Sequence, residues 1–444
     1  MNTSSKRNHD EETTGSRRDF LKQSSAAVLS GSLAATLPMA RHAHAAANDI
    51  IRIGLVGCGG RGSGAAVQAL RADPCTHLVA VADAFEDRLQ GGLNAMRSQE
   101  EVGDRVQVDT DHQFAGFEAY RQVLESDVDV VLLATPPHFR PMHLRACIEA
   151  GKHVFAEKPV AVDAPGVRSV LETTELARRK GLSIVSGLNS RYSFAMQEAV
   201  KRVHEGAIGE IVSLHSARYG SGVWVRPRQP GMTDMQYQMR NWYYFTWLSG
   251  DFNVEQFVHQ LDRCAWLMQD EYPIRCYSTG GRQARTGPDH GHIYDHFSTL
   301  YEYANGVRLF ATTRHQRHCS SESATYAFGT KGKISMTRSL KIEGEHPWQA
   351  ARKGEGDKPE KDSHQLEHDA FFPALRAGTI INNGNYMAKS TMMAIMARMS
   401  AYTGQSLTWE QALNSQEVLA PAAYAWDAAP PPDVVAVPGV TQFV

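Results

Sequence analysis

Between residues 51 and 186, short apolar runs alternate with helix-compatible segments. Val128–Ala134 is apolar at nearly every position, which is typical of a strand covered on both faces. Strands that alternate with helices favour a parallel sheet. The predicted strands are Ile51–Val56, Leu78–Ala82, Val106–Val108, Val128–Ala134, His153–Ala156 and Leu182–Ser186. The predicted helices between them are Ala65–Ala72, Phe117–Leu124, Arg140–Ala150 and Gly166–Lys180.

The pattern changes near Ser193, where strand-like runs begin to follow one another. Asn305-Gly306 separates two of them and is a strong hairpin signal, so we predict a second, mostly antiparallel domain. Its predicted helices are Phe194–Glu205, Gly250–Gln269, Gln365–Ala377 and Met387–Thr403. Its predicted strands are Ile211–Ala217, Arg275–Ser278, His292–Tyr303, Val307–Thr313, Ser323–Phe328 and Lys333–Thr337. The other segments are an irregular stretch at 219–244, rich in aromatic residues and arginine, a charged mobile loop at 341–363 and an extended tail at 430–444.

A glycine-rich turn joins the first predicted strand to the first predicted helix. It reads Gly57-Cys58-Gly59-Gly60-Arg61-Gly62, a Gly-x-Gly-x-x-Gly motif. Glycines here permit a tight turn and a close approach of the backbone to a pyrophosphate, which the helix N-terminus faces. Asp83 ends the second strand, 21 positions after Gly62, where a carboxylate would bond the adenosine ribose. We predict a dinucleotide site that prefers NAD to NADP; a plain turn with a surface aspartate is the disfavoured alternative.

Polar residues also end other strands of this sheet. Thr135-Pro136-Pro137-His138 follows the fourth strand and Glu157-Lys158-Pro159 follows the fifth. Ligands bind beyond the carboxyl ends of such strands, so we expect one crevice. The predicted cofactor contacts are Gly57, Gly59, Gly60, Arg61, Gly62, Asp83, Thr135, Pro136, His138, Glu157 and Lys158. Lys158 could also polarise a substrate oxygen, and a merely solvated lysine is the alternative.

The helix predicted at Gly250–Gln269 carries a polar stripe. Its members Glu255, His259, Asp262 and Trp266 are spaced i, i+4, i+7 and i+11, which places them on one helix face. An apolar stripe beside it should bury the helix, so the polar residues would lie at the edge of a cleft. A histidine there could accept a proton from a substrate hydroxyl while a hydride leaves the same carbon. Solvated or core polar residues remain the alternative.

Several other residues are candidates for ligand contact. His290, His292, Tyr294 and His296 alternate along a predicted strand and share a face, where we favour sugar contacts or interface packing and predict no metal site. The basic segment 314–318 is short and is expected to pair with acidic side chains. The six cysteines lack C-x-x-C spacing and are interpreted as buried small side chains without disulfides.

Length, charge and the first residues bear on location and partners. The 444 residues suffice for two domains, and a net charge of −2 without a basic run after residue 22 argues against nucleic-acid binding. Residues 1–47 combine Ser16-Arg17-Arg18-Asp19-Phe20-Leu21-Lys22 with a weak apolar run and small-residue cleavage candidates, which predicts a twin-arginine signal peptide. The run is too short for a membrane span. We expect a periplasmic or otherwise exported protein, carried by the twin-arginine machinery, that keeps its cofactor bound.

In this order, the motifs resemble the Gfo/Idh/MocA oxidoreductases, a family named for glucose–fructose oxidoreductase and inositol 2-dehydrogenase. Gly329-Thr330-Lys331-Gly332 adds to the resemblance. It implies an α/β fold: an N-terminal Rossmann domain, 48–187, and a C-terminal α/β domain, 188–444, with an open, mostly antiparallel sheet that often mediates oligomers. It also implies Lys158 and His259 as catalytic residues, with Glu255 where the family usually has aspartate. The candidate substrate contacts are Arg191, Tyr192, Asp262, Tyr294 and His296.

Three functions follow from these residues and the resemblance. The first is NAD-dependent oxidation or reduction of a CH–OH group in a sugar or polyol by a homo-oligomer, dimer or tetramer. The second is a redox-neutral glycosidase that oxidises a sugar transiently, eliminates the leaving group and returns the hydride. The third, a non-enzymatic binding protein, fits poorly with the set Lys158, Glu255 and His259.

Overall fold

The computed structural model describes residues 49–351 and 361–444. Its first sheet has six parallel strands in the order β3-β2-β1-β4-β5-β6, the order of a doubly wound dinucleotide-binding domain. The strands are β1 Ile51–Val56, β2 Thr76–Asp83, β3 Gln113–Ala115, β4 Val130–Leu133, β5 His153–Ala156 and β6 Ile184–Ser186. The helices around them are α1 Gly60–Ala72, α2 Glu86–Arg97, α3 Ala119–Glu125, α4 Arg140–Glu149 and α5 Ala164–Lys180.

The central strands are hydrophobic because both faces of the sheet are covered. Every residue of β4 and most residues of β1 are fully buried. Helix α5 shows the local signals that begin and end a helix. At its start the Asp163 carboxylate accepts from Gly166 N at 2.8 Å, and after its last residue Gly181 adopts the left-handed conformation with φ +65°. The packed sheet thereby holds the carboxyl ends of β1, β2, β4 and β5 at one edge.

The second sheet has nine strands in the order β14-β13-β12-β11-β7-β10-β9-β8-β15. Most neighbours are antiparallel, and β7 pairs with β10 in parallel. Its strands are β7 Ile211–Gly220, β8 Arg275–Gly281, β9 His296–Glu302, β10 Arg308–His315, β11 Glu322–Gly329, β12 Gly332–Met336, β13 Leu340–Gly344, β14 Trp348–Gln349 and β15 Leu407–Thr408. Its helices are α6 Phe194–His204, α7 Asp234–Arg240, α8 Thr246–Ser249, α9 Phe252–Glu255, α10 Val258–Leu267, α11 Ser363–Arg376, α12 Gly384–Thr403 and α13 Trp409–Asn414.

The chain returns to the first sheet after completing most of the second. Phe371 and Phe372 of α11 are buried in the same cluster as β1 and α1. Arg376 pairs with Asp73 through two hydrogen bonds of 2.5 and 2.9 Å. Helix α11, which follows the second sheet in sequence, is therefore part of the packing around the dinucleotide-binding sheet.

The α/β fold, with one parallel and one mostly antiparallel sheet, is confirmed, but five local predictions are wrong. Residues 106–108 form only an isolated bridge, and the edge strand is β3. The stretch 219–244 includes helix α7, and the segment 290–295 is a turn and loop before β9. The predicted mobile loop contains β13 and β14. The helix predicted at 250–269 is broken into α9 and α10.

The remaining predictions concern the export signal, membrane spans and the cysteines. The export signal, 1–47, lies outside the described residues, as do residues 352–360 of the predicted loop. In the described ranges, no helix is long and apolar enough to cross a membrane. All six cysteines are unpaired; four are buried as predicted, whereas Cys75 is half-buried and Cys319 is exposed.

Candidate active site

A cavity of about 560 Å³ lies over the glycine turn, within the usual range of roughly 300–1,000 Å³ for small-molecule sites. Gly57 has φ +100°, and a Cβ there would lie 2.7 Å from the Ala134 carbonyl carbon. A Cβ on Gly62 would lie 1.8 Å from the Gly57 oxygen, whereas Gly59 and Gly60 face open space. The first and last glycines of the motif are therefore required by packing, and the middle two leave room for a ligand.

Asp83 lies at the end of β2 and lines the same cavity. Its carboxylate accepts from Cys58 N at 2.8 Å and from Phe85 N at 3.0 Å. Burial raises the pKa of Asp83 in spite of these two bonds. One carboxylate thus fixes the glycine turn and faces the space where an adenosine ribose would lie. These observations fit a dinucleotide.

Residues of the second domain form the opposite wall of this cavity, and we call this wall the roof. The roof comprises Trp224, Arg226, Met239, Arg240 and Trp242. Arg240 pairs with Asp87 at 2.7 and 3.0 Å and packs over the ring of Phe85, with 4.1 Å from guanidinium to centroid. Trp426 from the C-terminal segment stacks on Phe85 at 4.8 Å between centroids. The roof was missed from the sequence, although the aromatic and arginine content of 219–244 was its signal.

The end of β5 carries two ion pairs that face different elements. Glu157 contacts Arg61 of the glycine turn at 2.9 Å. The next residue, Lys158, reaches Glu255 of α9, with 2.9 Å from Nζ to Oε1, and also donates to the Glu255 carbonyl oxygen. The Lys158 and Glu255 side chains are only 15% and 14% exposed, so each charge depends on the other. This pair joins the two domains beside the crevice.

The break between α9 and α10 determines the directions in which the side chains of the predicted polar stripe lie. Phe257 N donates to Phe252 O at 3.4 Å, a five-residue spacing that inserts an extra residue into the turn. Glu255 then meets Lys158, and Gln256 meets His315 at 2.9 Å. His259 follows on α10, where burial and then the charges of Lys158, Arg263 and Arg218 hold its pKa well below the usual range. His259 is therefore neutral and able to accept a proton at neutral pH.

Two buried residues near this centre were not predicted. Arg140 bonds the carbonyls of Thr135 and Pro159, which ties the ends of β4 and β5 together; burial lowers its pKa to about 10. Asp251, with φ +79°, accepts from Tyr294 N and Tyr402 OH, and its backbone oxygen accepts from Glu255 N at 2.9 Å. Burial raises the pKa of Asp251 to about 6. Both residues position the catalytic candidates by way of the backbone.

The structure brings most predicted cofactor residues together, with two exceptions. The glycines, Arg61, Asp83, Thr135 and Pro136 all line the cavity, and Glu157 contacts it through Arg61. Lys158 does not line it and pairs with Glu255, and His138 does not line it either. Instead its Nε2 bonds the Tyr424 hydroxyl at 2.7 Å, and burial lowers the pKa of His138 to about 4. His138 is a packing residue because the 3₁₀ turn at Pro137–Phe139 directs it toward the C-terminal segment.

The five candidate substrate contacts do not converge on the reaction centre. Arg191 forms bonds of 2.9–3.1 Å to Asp262 and also pairs with Asp270, so these groups satisfy each other. The Tyr192 hydroxyl donates to Asn383, and the Tyr294 hydroxyl donates to Ala436 O at 2.9 Å. His296 pairs with Asp295 on the outer side of β9. Each of these five side chains therefore already has a partner within the chain, and a substrate contact for any of them stays a prediction.

The two histidine-containing segments also differ from expectation. His292 is buried and accepts from Thr246 N at 3.2 Å, and His290 lies in a 3₁₀ turn, so the four residues 290–296 share no strand face. In the basic segment, Arg314 bonds the Ser320 carbonyl and His315 bonds Gln256, so neither pairs with an acid. His315 instead lines a second cavity next to the catalytic candidates. No cluster able to hold a metal ion occurs among the residues that the structure describes.

Two models of one protein family match this chain. The family model described as an oxidoreductase family with an NAD-binding Rossmann fold matches residues 51–187. The model of the GFO/IDH/MocA C-terminal domain matches residues 196–335. The chain belongs to the GFO/IDH/MocA oxidoreductase family. The predicted oxidoreductase class is thereby confirmed. The first matched range contains the parallel sheet, and the second covers the second sheet from β7 to β12.

Individual relatives of this GFO/IDH/MocA protein are distant. An inositol 2-dehydrogenase from Rhizobium meliloti is 23% identical over 64% of this chain and 75% of its own length. A glycosyl hydrolase family 109 protein from Streptomyces coelicolor is 28% identical over 38% of this chain and 34% of its own length. A levoglucosan dehydrogenase solved with NADH and levoglucosan is 18% identical, with a TM-score of 0.63 over 81% of this chain and 99% of that one. The last likeness shows the shared fold.

Proposed function

We propose that the protein is an NAD-dependent oxidoreductase acting on a CH–OH group of a sugar or polyol. The observation that carries this proposal is the Lys158–Glu255 ion pair, which lies beside a neutral His259 at the strand edge that also presents the glycine turn. Relatives with sugar and polyol dehydrogenase names support the substrate class.

Each catalytic candidate has a role that its contacts suggest. His259 accepts the proton of the substrate hydroxyl, since its pKa leaves it unprotonated at neutral pH. Lys158 polarises the substrate oxygen, and Glu255 holds Lys158 in place. Arg61, held by Glu157, orients the glycine turn. When bound, NAD supplies the acceptor for the hydride from the substrate carbon.

Asp83 favours NAD over NADP in this proposal. Its carboxylate is fixed by two backbone N–H groups at the cavity wall, where a 2′-phosphate would meet like charge. Arg88 and Arg226 line the same cavity, and neither bonds the Asp83 carboxylate, which accepts from Cys58 N and Phe85 N. We expect NAD to bind more tightly in direct titration, and Asp83→Ala to reduce the preference by about tenfold or more. Equal or tighter binding of NADP by the unaltered protein would refute the preference.

A cofactor held through many turnovers is the second part of the proposal. The roof closes over the glycine turn, and the Arg240–Asp87 pair fastens it to α2. Cofactor exit then requires the roof to separate from Phe85. We expect NAD to remain bound through gel filtration and to dissociate faster from Arg240→Ala. An unchanged dissociation rate would show that the roof does not retain the cofactor.

A redox-neutral glycosidase remains the second candidate, because one relative is a glycosyl hydrolase family 109 protein. The same residues could abstract and return protons around a transiently oxidised sugar. Release of a free sugar from a glycoside without net formation of NADH would identify this activity. Net reduction of the bound cofactor by a free polyol identifies the dehydrogenase.

We also propose export by the twin-arginine route. Arg17 and Arg18, followed by a weak apolar run and small-residue cleavage candidates, support it. Replacing both arginines with lysine should leave folded protein in the cytoplasm, with a mature N-terminus near Ala46 appearing only for the unaltered chain. Unchanged export would refute the proposal.

A homo-oligomer is the last part of the proposal. On the outer face of the second sheet, register aligns Tyr277, Leu300, Phe310, His215 and Tyr326 across five strands. Tyr277 and Phe310 are 52% and 50% exposed, which leaves an aromatic row for a second copy to cover. Phe310→Glu should lower the mass measured by light scattering from a dimer or tetramer to a monomer. A monomeric unaltered protein would contradict this part.

The function as a whole is tested by single-turnover reduction of the bound cofactor. The protein is mixed with a panel of hexoses, polyols and sugar acids, and nicotinamide absorbance is followed without added NAD. At least one member should reduce the cofactor. If the unaltered protein carries NAD and no member reduces it, the dehydrogenase proposal fails.

A further inference from the structure

A second cavity, of about 730 Å³, lies at the ends of β7 and β10 and the start of β11. Two of its lining residues, Gln256 and His315, bond to each other at 2.9 Å, and Gln256 directly follows Glu255 in the break between α9 and α10. The cavity therefore borders the reaction centre. We call it the substrate cavity, and its assignment rests on the function proposed above.

Arg218 is the cation of this cavity that faces the reaction centre. Register pairs Arg218 with Ser323 and with Thr313, which places all three on the side of the sheet covered by α10. Its Nη1 donates weakly to Ser323 Oγ at 3.4 Å, and Gln260 of α10 holds the same oxygen at 3.1 Å. No carboxylate forms an ion pair with Arg218 among the described residues. Its charge is available to a ligand.

Arg285 adds a buried positive charge behind the cavity wall. The residue is 6% exposed, and neither Nη1 nor Nη2 has a hydrogen-bond partner in the described part of the chain. A Cβ on Gly222, which lines the cavity, would lie 2.0 Å from Arg285 Nη2, so the guanidinium packs directly against this wall. Burial of an unpaired charge is costly unless an anion compensates it.

Negative charge around the cavity is too scarce to balance these arginines. The single carboxylate among its lining residues, all of them described, is the exposed Glu322, which accepts from Tyr326 OH at 3.4 Å. Glu255 next door is already paired with Lys158. Arg263 also lies near His259, although its charge is partly balanced by Asp262. The carboxylate of Asp295 lies behind His315, but backbone N–H groups, including that of Arg285, and the Gln316 amide already bond it. With Arg338 also lining the cavity, the local excess is positive.

We infer that the substrate is an acidic sugar, in which a carboxylate is held by Arg218 in the substrate cavity with Arg285 supporting it from behind. The carboxylate takes no part in the redox step: the C–H bond that breaks belongs to a neighbouring CH–OH group, whose proton goes to His259. A carboxylate would also oppose the cationic field that depresses the pKa of His259, bringing this base closer to neutral pH, where a general base is most effective.

Calorimetric titration of the NAD-loaded protein tests this inference without turnover. The probes are D-glucuronate and D-galacturonate, each compared with its parent hexose, and D-glucose 6-phosphate. At least one hexuronate should bind about 10- to 100-fold more tightly than its hexose, the range for a charge-assisted hydrogen bond. Equal binding of acid and hexose in both pairs, or tightest binding of the phosphate ester, would overturn the inference.

Variants of Arg218 test whether this residue causes the preference for hexuronate over hexose. Arg218→Gln should abolish it and Arg218→Lys should restore part of it, because lysine retains the charge without the planar fork. Arg314→Gln, which removes the same charge from the opposite face of the adjacent strand, should keep the preference. A preference that survives in Arg218→Gln, or is lost equally in Arg314→Gln, overturns the assignment.

A variant-free measurement covers the case in which Arg218→Gln does not fold. Raising the ionic strength should weaken hexuronate binding while hexose binding stays constant, and salt-independent hexuronate binding would contradict the inference. The proposed function fails separately: tight hexuronate binding without any cofactor reduction refutes the dehydrogenase, whereas reduction by neutral sugars with equal binding refutes only the acidic substrate.

Discussion

The glycine turn presents backbone to its ligand, whereas Lys158, Glu255 and His259 present ionisable side chains gathered from the end of β5, α9 and α10. In the first region, steric fit decides: Gly62 cannot carry a Cβ, and Gly59 faces open space. In the second, electrostatics decide: the ion pair is nearly buried, and burial together with neighbouring cations depresses the pKa of the histidine. Cofactor binding and chemistry should therefore respond to different mutations.

The largest expected effect separates chemistry from cofactor binding. His259→Ala should slow single-turnover reduction by about 10²–10⁴-fold, because proton transfer by a positioned side chain contributes that much. NAD binding should survive, since the glycine turn and Asp83 are untouched. His204→Ala, a change at an exposed histidine, is the control. Lys158→Ala should lower turnover as well and weaken NAD binding, because Lys158 directly follows Glu157, which holds Arg61 of the glycine turn.

The second effect concerns stability in acid. Burial lowers the pKa of His143 to about 3, of His292 to about 4 and of His315 to about 3. Below the ordinary histidine pKa of 6.5 the unfolded chain binds protons that the folded chain refuses, so stability present above pH 6.5 is lost as the pH falls. At pH 5 the loss is about 2 kcal/mol per histidine. The opposing contribution of Asp251, whose pKa is raised to about 6, does not offset three histidines.

Thermal unfolding measured from pH 7.5 to pH 5 checks this. The midpoint should fall steadily below pH 6.5. His143→Phe, which retains stacking on Tyr120, should flatten the slope, and His204→Gln should leave it unchanged. A midpoint that is constant down to pH 5 would mean that these histidines titrate normally in the folded protein.

The third effect concerns the ion pair. Glu255→Asp should be tolerated if this position serves as the family aspartate does, and Glu255→Gln should reduce turnover by about 10- to 100-fold, because it removes the charge that holds Lys158. The single-turnover rate at which substrate reduces the bound cofactor distinguishes the two variants. Equal rates for Gln and Glu at this position would show that its charge is not used.

The smallest expected effects distinguish two residues of the glycine turn, Gly62 and Gly59. Gly62→Ala should destabilise the fold by about 1–3 kcal/mol, the usual cost of overpacking, because its Cβ would overlap the Gly57 oxygen. Gly59→Ala should leave thermal unfolding unchanged and weaken NAD binding. A normal NAD affinity for Gly59→Ala would show that the cofactor does not approach this residue.

The contrast also explains what could be predicted from the sequence. The glycine turn, Asp83 and the end of β5 each lie at the carboxyl end of a predicted strand, so the pattern of strands alone predicted that they lie at one edge of the sheet. Strand-end position and the polar stripe made Lys158 and His259 candidates, and the resemblance to a family implied their catalytic roles. The partner of Lys158 depends on the break at Gln256, which no propensity rule signals, since 250–269 has continuous helical periodicity.

Other features of the site could not be predicted because tertiary contacts determine them. Arg191 and Asp262 are polar residues at plausible positions, but they neutralise each other in the fold. His296 is the first residue of β9 and lies on the less buried face of this strand, with Ser298 and Leu300. The roof and Arg285 depend on contacts between segments far apart in sequence, and spacing along one element carries no information about such contacts.

The central claim is that a substrate C–H bond delivers its hydride to a cofactor held beside Lys158 and His259. Isotope transfer in a single turnover tests it most directly: the best substrate of the panel, deuterated at its CH–OH carbons, is mixed with the NAD-loaded protein, and the released cofactor is analysed by mass spectrometry. The account predicts reduced NAD that carries one deuterium, formed by the unaltered protein and far more slowly by His259→Ala. Reduced NAD without deuterium, or equal rates in both proteins, would contradict it.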